Sequence, residues 1–315
     1  MEESEFESYV KAGEIAKEVK VFARGLIEPG VKLIDVAEGI DAKIVELGGE
    51  IAFPVNLSLN EIAAHFTPGP GCETVASGLL KVDVGVCVDG FIADTAFSVD
   101  LTSDGEFGDM IKLNEEMLSE ITKVIKPGVL VKDIGDVAMD VLEAWNASRE
   151  NREQKIDNSG AGKFAIIKSL SGHSLGQNDI HAGLTISNYR NDNRAELSGA
   201  FAIEPFVTTG VGDIYEGEPG GIYVLQADKP VRDRDAREVL NYIKETFITR
   251  PFCLRFLVKE FEKFSVNRLR FILGGMVKTG ILHEYSMLIE KSRKPVSQFE
   301  NTFVVADGKV VRTTE

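Results

Sequence analysis

Residues 81–97, KVDVGVCVDGFIADTAF, read as two strands joined by a tight turn. Two runs of β-branched and aromatic residues flank Asp89-Gly90, and Asp-Gly is the strongest short hairpin signal because both positions tolerate the left-handed backbone of a tight turn. A two-residue loop there pairs Val88 with Phe91 and Gly85 with Asp94. Asp83 lies two residues from Gly85 and therefore shares a sheet face with Asp94. The two carboxylates become diagonal neighbours, with β-carbons about 7–8 Å apart. A single aspartate in a strand is ordinarily solvent-facing. Two on one face of an apolar hairpin are poorly solvated and raise each other's pKa unless a divalent cation lies between them.

On the N-terminal side, Phe6, Tyr9, Val10, Ile15, Ala16, Val19, Phe22, Ala23 and Leu26 recur at helical spacing, which predicts a helix over 4–27 ended by Pro29-Gly30. A second helix is predicted over 33–47, closed by Gly48-Gly49. The same phrase then returns: IEPGVKLIDVAE at 27–38 and IKPGVLVKDIGD at 125–136. Pro29, Gly30, Val31 and Asp35 recur as Pro127, Gly128, Val129 and Asp133. Each copy follows a helix (the second over about 109–124) and opens another (the second over 131–146). A repeat longer than a solenoid unit implies two similar halves packed face to face.

Further strands are expected at 200–206, 221–226, 299–306 and 309–313, the last two joined by Asp307-Gly308. Residues 146–163 and the Gly-rich stretch 210–221 read as loops. Residues 233–280 change character, with helical patterns at 234–247, 252–263 and 266–278. They read as a helical insertion in the second half of one catalytic domain, the halves being 1–108 and 109–315. The class is α+β, with antiparallel strands inside and helices outside.

The 315 residues are 43% hydrophobic and 27% charged, enough for a sizeable core, and the net charge of −15 argues against a nucleic-acid surface. Cys72, Cys87 and Cys253 are odd in number and widely spaced, which suits reduced thiols inside a cell. The N-terminus is acidic where a signal peptide would be basic, and no apolar run is long enough for a membrane span. A cytoplasmic protein that does not engage membranes is expected.

Three more segments place polar groups inside apolar runs. Glu204 stands in GAFAIEPFVT, Glu300 in SQFENTFVV and His173 in SLSGHSLG. Singly, each has an ordinary explanation: an edge-strand glutamate paired with lysine, or a core histidine. Together with Asp83 and Asp94 they make four carboxylates and one imidazole, an oxygen-rich set suited to two Mn, Fe, Co or Zn ions. His65 and His181 lie in neighbouring motifs and can donate to a carbonyl or shuttle a proton. His283 is read as structural.

NLSLNEIAAHFTP, KVDVGVCVDGFIADTAF, LSGHSLGQNDIHAG, GAFAIEPFVTTG and VSQFENTFVV resemble, in order, the signature segments of methionine aminopeptidases with the pita-bread metallopeptidase fold. The insertion at 233–280 is similar to that of the type 2 enzymes, and the short N-terminus to their archaeal form. The resemblance implies removal of the initiator methionine from nascent proteins and methionyl peptides, before a small second residue, by hydrolysis at two divalent ions. It implies that Asp83 chelates the first ion, that Asp94 and Glu300 bridge both, and that His173 and Glu204 complete the second. Glu204 would also handle protons, His65 and His181 would contact substrate and stabilise the intermediate, and Tyr285 would line the cleft. A monomer working near the ribosome is the implied setting. Two positions depart from the family: Asn301 and Cys87 stand where histidine is usual. Asparagine can hydrogen-bond but cannot carry a proton. The competing expectations are an Xaa-Pro aminopeptidase or prolidase, and a binding module that has lost its metal ligands. A nucleotide-binding protein is excluded, since no Gly-rich loop joins a strand to a helix as required.

Overall fold

The computed structural model describes residues 1–153 and 162–315. The chain begins with α1 (Glu3–Leu26), α2 (Leu33–Glu46), β1 (Glu50–Leu59), β2 (Ile62–Ala64), β3 (Leu79–Val88) and β4 (Phe91–Asp100). Two helices come next, α3 (Gly108–Val124) and α4 (Val131–Glu153). Short strands follow: β5 (Ala165–Ile166), β6 (Gly172–Leu175), β7 (Thr185–Ile186), β8 (Gly199–Ile203) and β9 (Phe206–Thr208). Then come β10 (Ile214–Leu225), α5 (Arg234–Thr246), β11 (Phe252–Cys253), α6 (Leu254–Glu260) and α7 (Val266–Lys278). The chain closes with β12 (Leu282–Glu290), β13 (Val296–Gln298), β14 (Asn301–Ala306) and β15 (Lys309–Arg312).

The central hairpin has the register its turn dictates. Val88 faces Phe91, Gly85 faces Asp94 and Asp83 faces Ala96, with Asp89 and Gly90 both at positive φ. The sheets are antiparallel, in the orders β1-β3-β4, β11-β10-β12-β2, β13-β9-β5 and β15-β14-β8-β6-β7. A bridge between Ala96 and Glu300 joins the first hairpin to the C-terminal strands. Helices α1 and α2 cover the hairpin, with Ala12, Ala16, Val19, Ile40 and Ile44 in the same core as Val82, Val84 and Val86. That packing puts the helices outside and leaves the inner sheet face free for the polar cleft.

The repeated phrase is a repeated structure. Gly30 and Gly128 take φ of 89° and 84°, as the second residue of a Pro-Gly turn must, and α2 and α4 begin at the equivalent Leu33 and Val131. The Leu33 amide donates to the Thr74 carbonyl (2.9 Å), as the Val131 amide does to Ala195 (3.0 Å). The Ala76 amide donates to Val31 (2.8 Å), as the Leu197 amide does to Val129 (2.9 Å). Each phrase thus pins its helix to an extended segment by the same pair of bonds. Between 234 and 278, α5–α7 surround an apolar cluster of their own that includes Val239, Ile243, Leu257, Leu269 and Leu273.

Four expectations need correction. Most of 210–221 is not loop but the first part of β10, paired with β12. Its glycines serve close approach rather than flexibility: a Cβ on Gly220 would sit 1.7 Å from the His65 carbonyl oxygen. Pro219 is tolerated because the register shifts there. The helix at 252–263 shrinks to α6, since Phe252 and Cys253 pair with β10. α4 runs on to Glu153, so the connection placed at 146–163 is partly helix, and its part at 154–161 lies outside the described residues. Finally, the strands carrying the two glutamates are interrupted: Glu204 falls between β8 and β9, and Glu300 between β13 and β14. Pro205 offers no N–H to a ladder, which accounts for the first break.

Candidate metal centre

Each acidic side chain is fixed by its backbone. The Asp94 amide donates to Thr302 Oγ1 (2.8 Å), and that hydroxyl donates back to the Asp94 carbonyl (2.8 Å). The Glu300 amide donates to the Ala96 carbonyl (3.0 Å), and Thr95 Oγ1 donates to the Glu300 carbonyl (2.8 Å). Glu204 sits in its strand break, where Asn188 Nδ2 donates to its carbonyl (2.9 Å) and Asn114 Nδ2 to that of Pro205 (3.0 Å). His173 is on β6, paired with Ala202 of β8, one strand from the break at Glu204.

These elements bring all eight residues singled out in the sequence into one cavity of ≈ 280 Å³. Its walls include Asp83, Asp94, His173, Glu204 and Glu300, together with His65, His181 and Tyr285. Among the described residues, ligand atoms of Asp94, His173 and Glu300 all lie within 4.8 Å of one another. His173 Nε2 is 3.7 Å from Asp94 Oδ2 and 3.6 Å from Glu204 Oε1. Asp83 is tied in by Gln298, whose Nε2 donates to Asp83 Oδ2 (3.2 Å) and Glu204 Oε2 (3.5 Å). The His173 and His181 rings meet edge to face at 4.3 Å, and the His65 and Tyr285 rings lie 5.2 Å apart. His283 stacks edge-on against Tyr285 and does not line the cavity.

Four buried carboxyls this close cannot all be charged comfortably. Burial pushes Asp83 up to about 6. Asp94, Glu204 and Glu300 are held well above the usual carboxylate range, first by burial and then by their acidic neighbours. Burial, and secondarily His181, lowers His173 to about 3, so its imidazole is neutral and free to ligate; burial likewise lowers His65 to about 4. Asp83 Oδ1, Asp94 Oδ1 and Glu300 Oε1 are buried and have no hydrogen-bond partner. Orphaned anionic oxygens of this kind are what a divalent cation relieves, and the four-carboxylate, one-imidazole set fits hard to borderline ions.

The two departures take other roles. Asn301 turns toward α1, where its Oδ1 accepts from Lys20 Nζ (3.3 Å) and Thr314 Oγ1 (3.0 Å). Cys87 is fully buried in a satellite core with Phe53, Ile92 and Leu175. Sequence reasoning passed over Gln298 and Asn56, the latter accepting from the His65 amide through Oδ1 (2.8 Å). A glutamine within the apolar end of VSQF was the only hint of the first.

The model of metallopeptidase family M24 matches residues 7–250. The methionine aminopeptidase of Pyrococcus horikoshii is 40% identical over 311 residues, which are 97% of this chain and 98% of that one. Methionine aminopeptidase 2 of Lodderomyces elongisporus is 30% identical over 321 residues, 97% of this chain and 65% of the relative. Among solved structures, the methionine aminopeptidase of Thermotoga maritima superposes with a TM-score of 0.67 at 19% identity, covering 100% of this chain and 98% of that one. A thermophilic Arx1 superposes with a TM-score of 0.78 at 17% identity, covering 99% and 91%.

Proposed function

The chain belongs to metallopeptidase family M24, and on that footing we propose that it is a type 2 methionine aminopeptidase that removes N-terminal methionine by metal-dependent hydrolysis. One observation carries the reading: four carboxylates and a neutral imidazole converge with orphaned oxygens on a cavity that also holds two further histidines. Asp83, Asp94, His173, Glu204 and Glu300 would hold two divalent ions, of Co, Mn, Fe or Zn. When bound, such ions polarise the scissile carbonyl and make water acidic enough to act as a nucleophile near neutrality.

The rest falls to the chain's own groups. Glu204, whose pKa burial raises, is suited to take a proton from the attacking water and return it to the departing amine. His65 and His181, neutral through burial, donate to the carbonyl oxygen as negative charge develops there. Tyr285, Phe206, Ile222 and Leu288 line the same cavity and offer an unbranched thioether an apolar wall. We read the chain as one catalytic domain of related halves, 1–108 and 109–315, with the insertion at 233–280. The matched Pro-Gly turns and the insertion's own apolar cluster support this division. A monomer acting on nascent chains near the ribosome, in the cytoplasm, suits a substrate that is a peptide N-terminus. Among the described residues no helix is long and apolar enough to cross a membrane.

A panel of Met-X-Gly-Gly peptides, with N-acetylated controls and Ala-Pro-Gly, tests the reading. Cleavage is expected for X of Gly, Ala, Ser, Thr, Cys, Pro or Val, and not for Lys, Glu or Phe. Norleucine peptides should be poor but measurable substrates, because a small change in an apolar pocket costs only about 1–3 kcal/mol. Preferential cleavage of Ala-Pro-Gly would hand the function to a prolidase-type activity.

A further inference from the structure

Arg255 begins in the insertion, on α6, yet spends its guanidinium in the first half. Nη2 donates to Asp41 Oδ2 on α2 (3.0 Å), and Nη1 donates to Thr67 Oγ1 (2.8 Å) and the Pro68 carbonyl (2.5 Å). Arg255, Asp41 and Thr67 are 2%, 3% and 3% exposed. Burying an ion pair is expensive, and an apolar pair would dock the insertion at least as well. The polar solution therefore calls for a reason, and its acceptors supply one.

Thr67 and Pro68 end a short segment that begins at His65. His65 has φ of 66°, a left-handed conformation that a side chain bearing a Cβ holds only when its surroundings impose it. Three bonds from the strands hold the segment's start. The His65 amide donates to Asn56 Oδ1 (2.8 Å), the Leu57 amide to the Phe66 carbonyl (2.8 Å) and the Thr67 amide to the Gly220 carbonyl (3.0 Å). The two Arg255 bonds clamp its far end.

We propose that Arg255 is a positioning residue: by gripping Thr67 and Pro68 while anchored on Asp41, it fixes the backbone of 65–68 and so aims the His65 imidazole into the cavity. The helical insertion is thereby coupled to the reaction through one side chain in addition to any cleft wall it supplies. This rests on the reading of His65 as a group that contacts substrate.

The experiment uses zinc-loaded full-length protein and the peptide Met-Ala-Ser. Thr67→Val removes one arm without touching the ion pair. Arg255→Lys keeps the charge but cannot fork to both halves. Both variants should retain the wild-type metal content, lose about tenfold in kcat/KM (mostly in kcat) and shift the imidazole NMR resonances of His65 but not those of His181. Placed in a His65→Ala background, the same changes should alter kcat/KM less than twofold. An undiminished loss in that background, or His65 resonances that stay put in both variants, overturns the proposal. If His65→Ala alone leaves turnover near wild type, the reading of His65 fails, and the resonances still decide whether Arg255 sets its position.

Discussion

Replacing Asp83 by asparagine should stabilise the metal-free protein while crippling its response to metal. In the folded chain, burial pushes the Asp83 carboxyl up to about 6. That is about 2 pH units above a free aspartate, and at 1.36 kcal/mol per unit it corresponds to ~3 kcal/mol held against the fold at pH 7. A proton on Asp83 is bound more tightly in the folded than in the unfolded chain. The associated stability is therefore fully present below about pH 4 and is lost as pH rises through about 6. Asparagine carries no charge and can still accept from Gln298 through its amide oxygen, so it avoids the penalty at every pH. With an unfolding entropy of about 2.1 cal/mol/K per residue, ~3 kcal/mol over this chain is a rise in Tm of about 4–5 °C. Melting curves of chelator-treated wild type and Asp83→Asn, recorded from pH 4 to 7.5, measure it. The gap should be widest above pH 6, close toward pH 4, and reverse when Mn or Co is added, because the ions would stabilise a wild type in which Asp83 is a proposed ligand more than a variant that lacks it. A metal-free variant that melts at or below wild type near pH 7 would refute the claim that Asp83 is a carboxylate held under strain for a cation.

His181→Ala should keep its metal, measured by elemental analysis, while kcat/KM drops by the ~10²–10³-fold that loss of one oxyanion donor typically costs. Loss of metal would make His181 a ligand instead. Thr302→Val strips both partners from the Asp94 backbone, so urea unfolding should show a loss of about 1–3 kcal/mol, and metal affinity should weaken about 10–100-fold as Asp94 loosens. Unchanged affinity would mean that Asp94 is held by other contacts.

Much of this was legible because a few local signals have one structural solution. The Asp89-Gly90 turn admits a single register, and that register alone puts Asp83 and Asp94 on one face. The doubled Pro-Gly phrase was legible as a repeated turn and helix start because each copy needs the same positive-φ glycine before its helix. What the sequence hid was decided by partners distant in the chain. β10 looks like a loop because its glycines make room for distant partners: Gly217 for the Ile289 side chain, and Gly220 for the His65 carbonyl, a need visible only once both are in place. β12 escaped notice because most of HEYSMLIE is half-buried and neither alternates cleanly nor runs apolar. The break after Ile203 had a signal in Pro205, whose missing N–H forbids a continuous ladder. Arg255 carried none: on α6 it reads as an ordinary surface arginine, and only the folded chain sets it against Asp41.

The buried carboxylate–histidine cluster should hold the ions that the peptidase reaction requires. Stripping the protein with chelator and titrating back Mn or Co, with bound metal and Met-Ala-Ser hydrolysis followed on the same samples, decides this. The stripped protein should show no turnover, and activity should rise with bound metal and saturate at two ions per chain, with both lost in Asp94→Asn. Stripped protein that still cleaves the peptide, or Asp94→Asn that binds metal and turns over like the wild type, would contradict this role for the cluster.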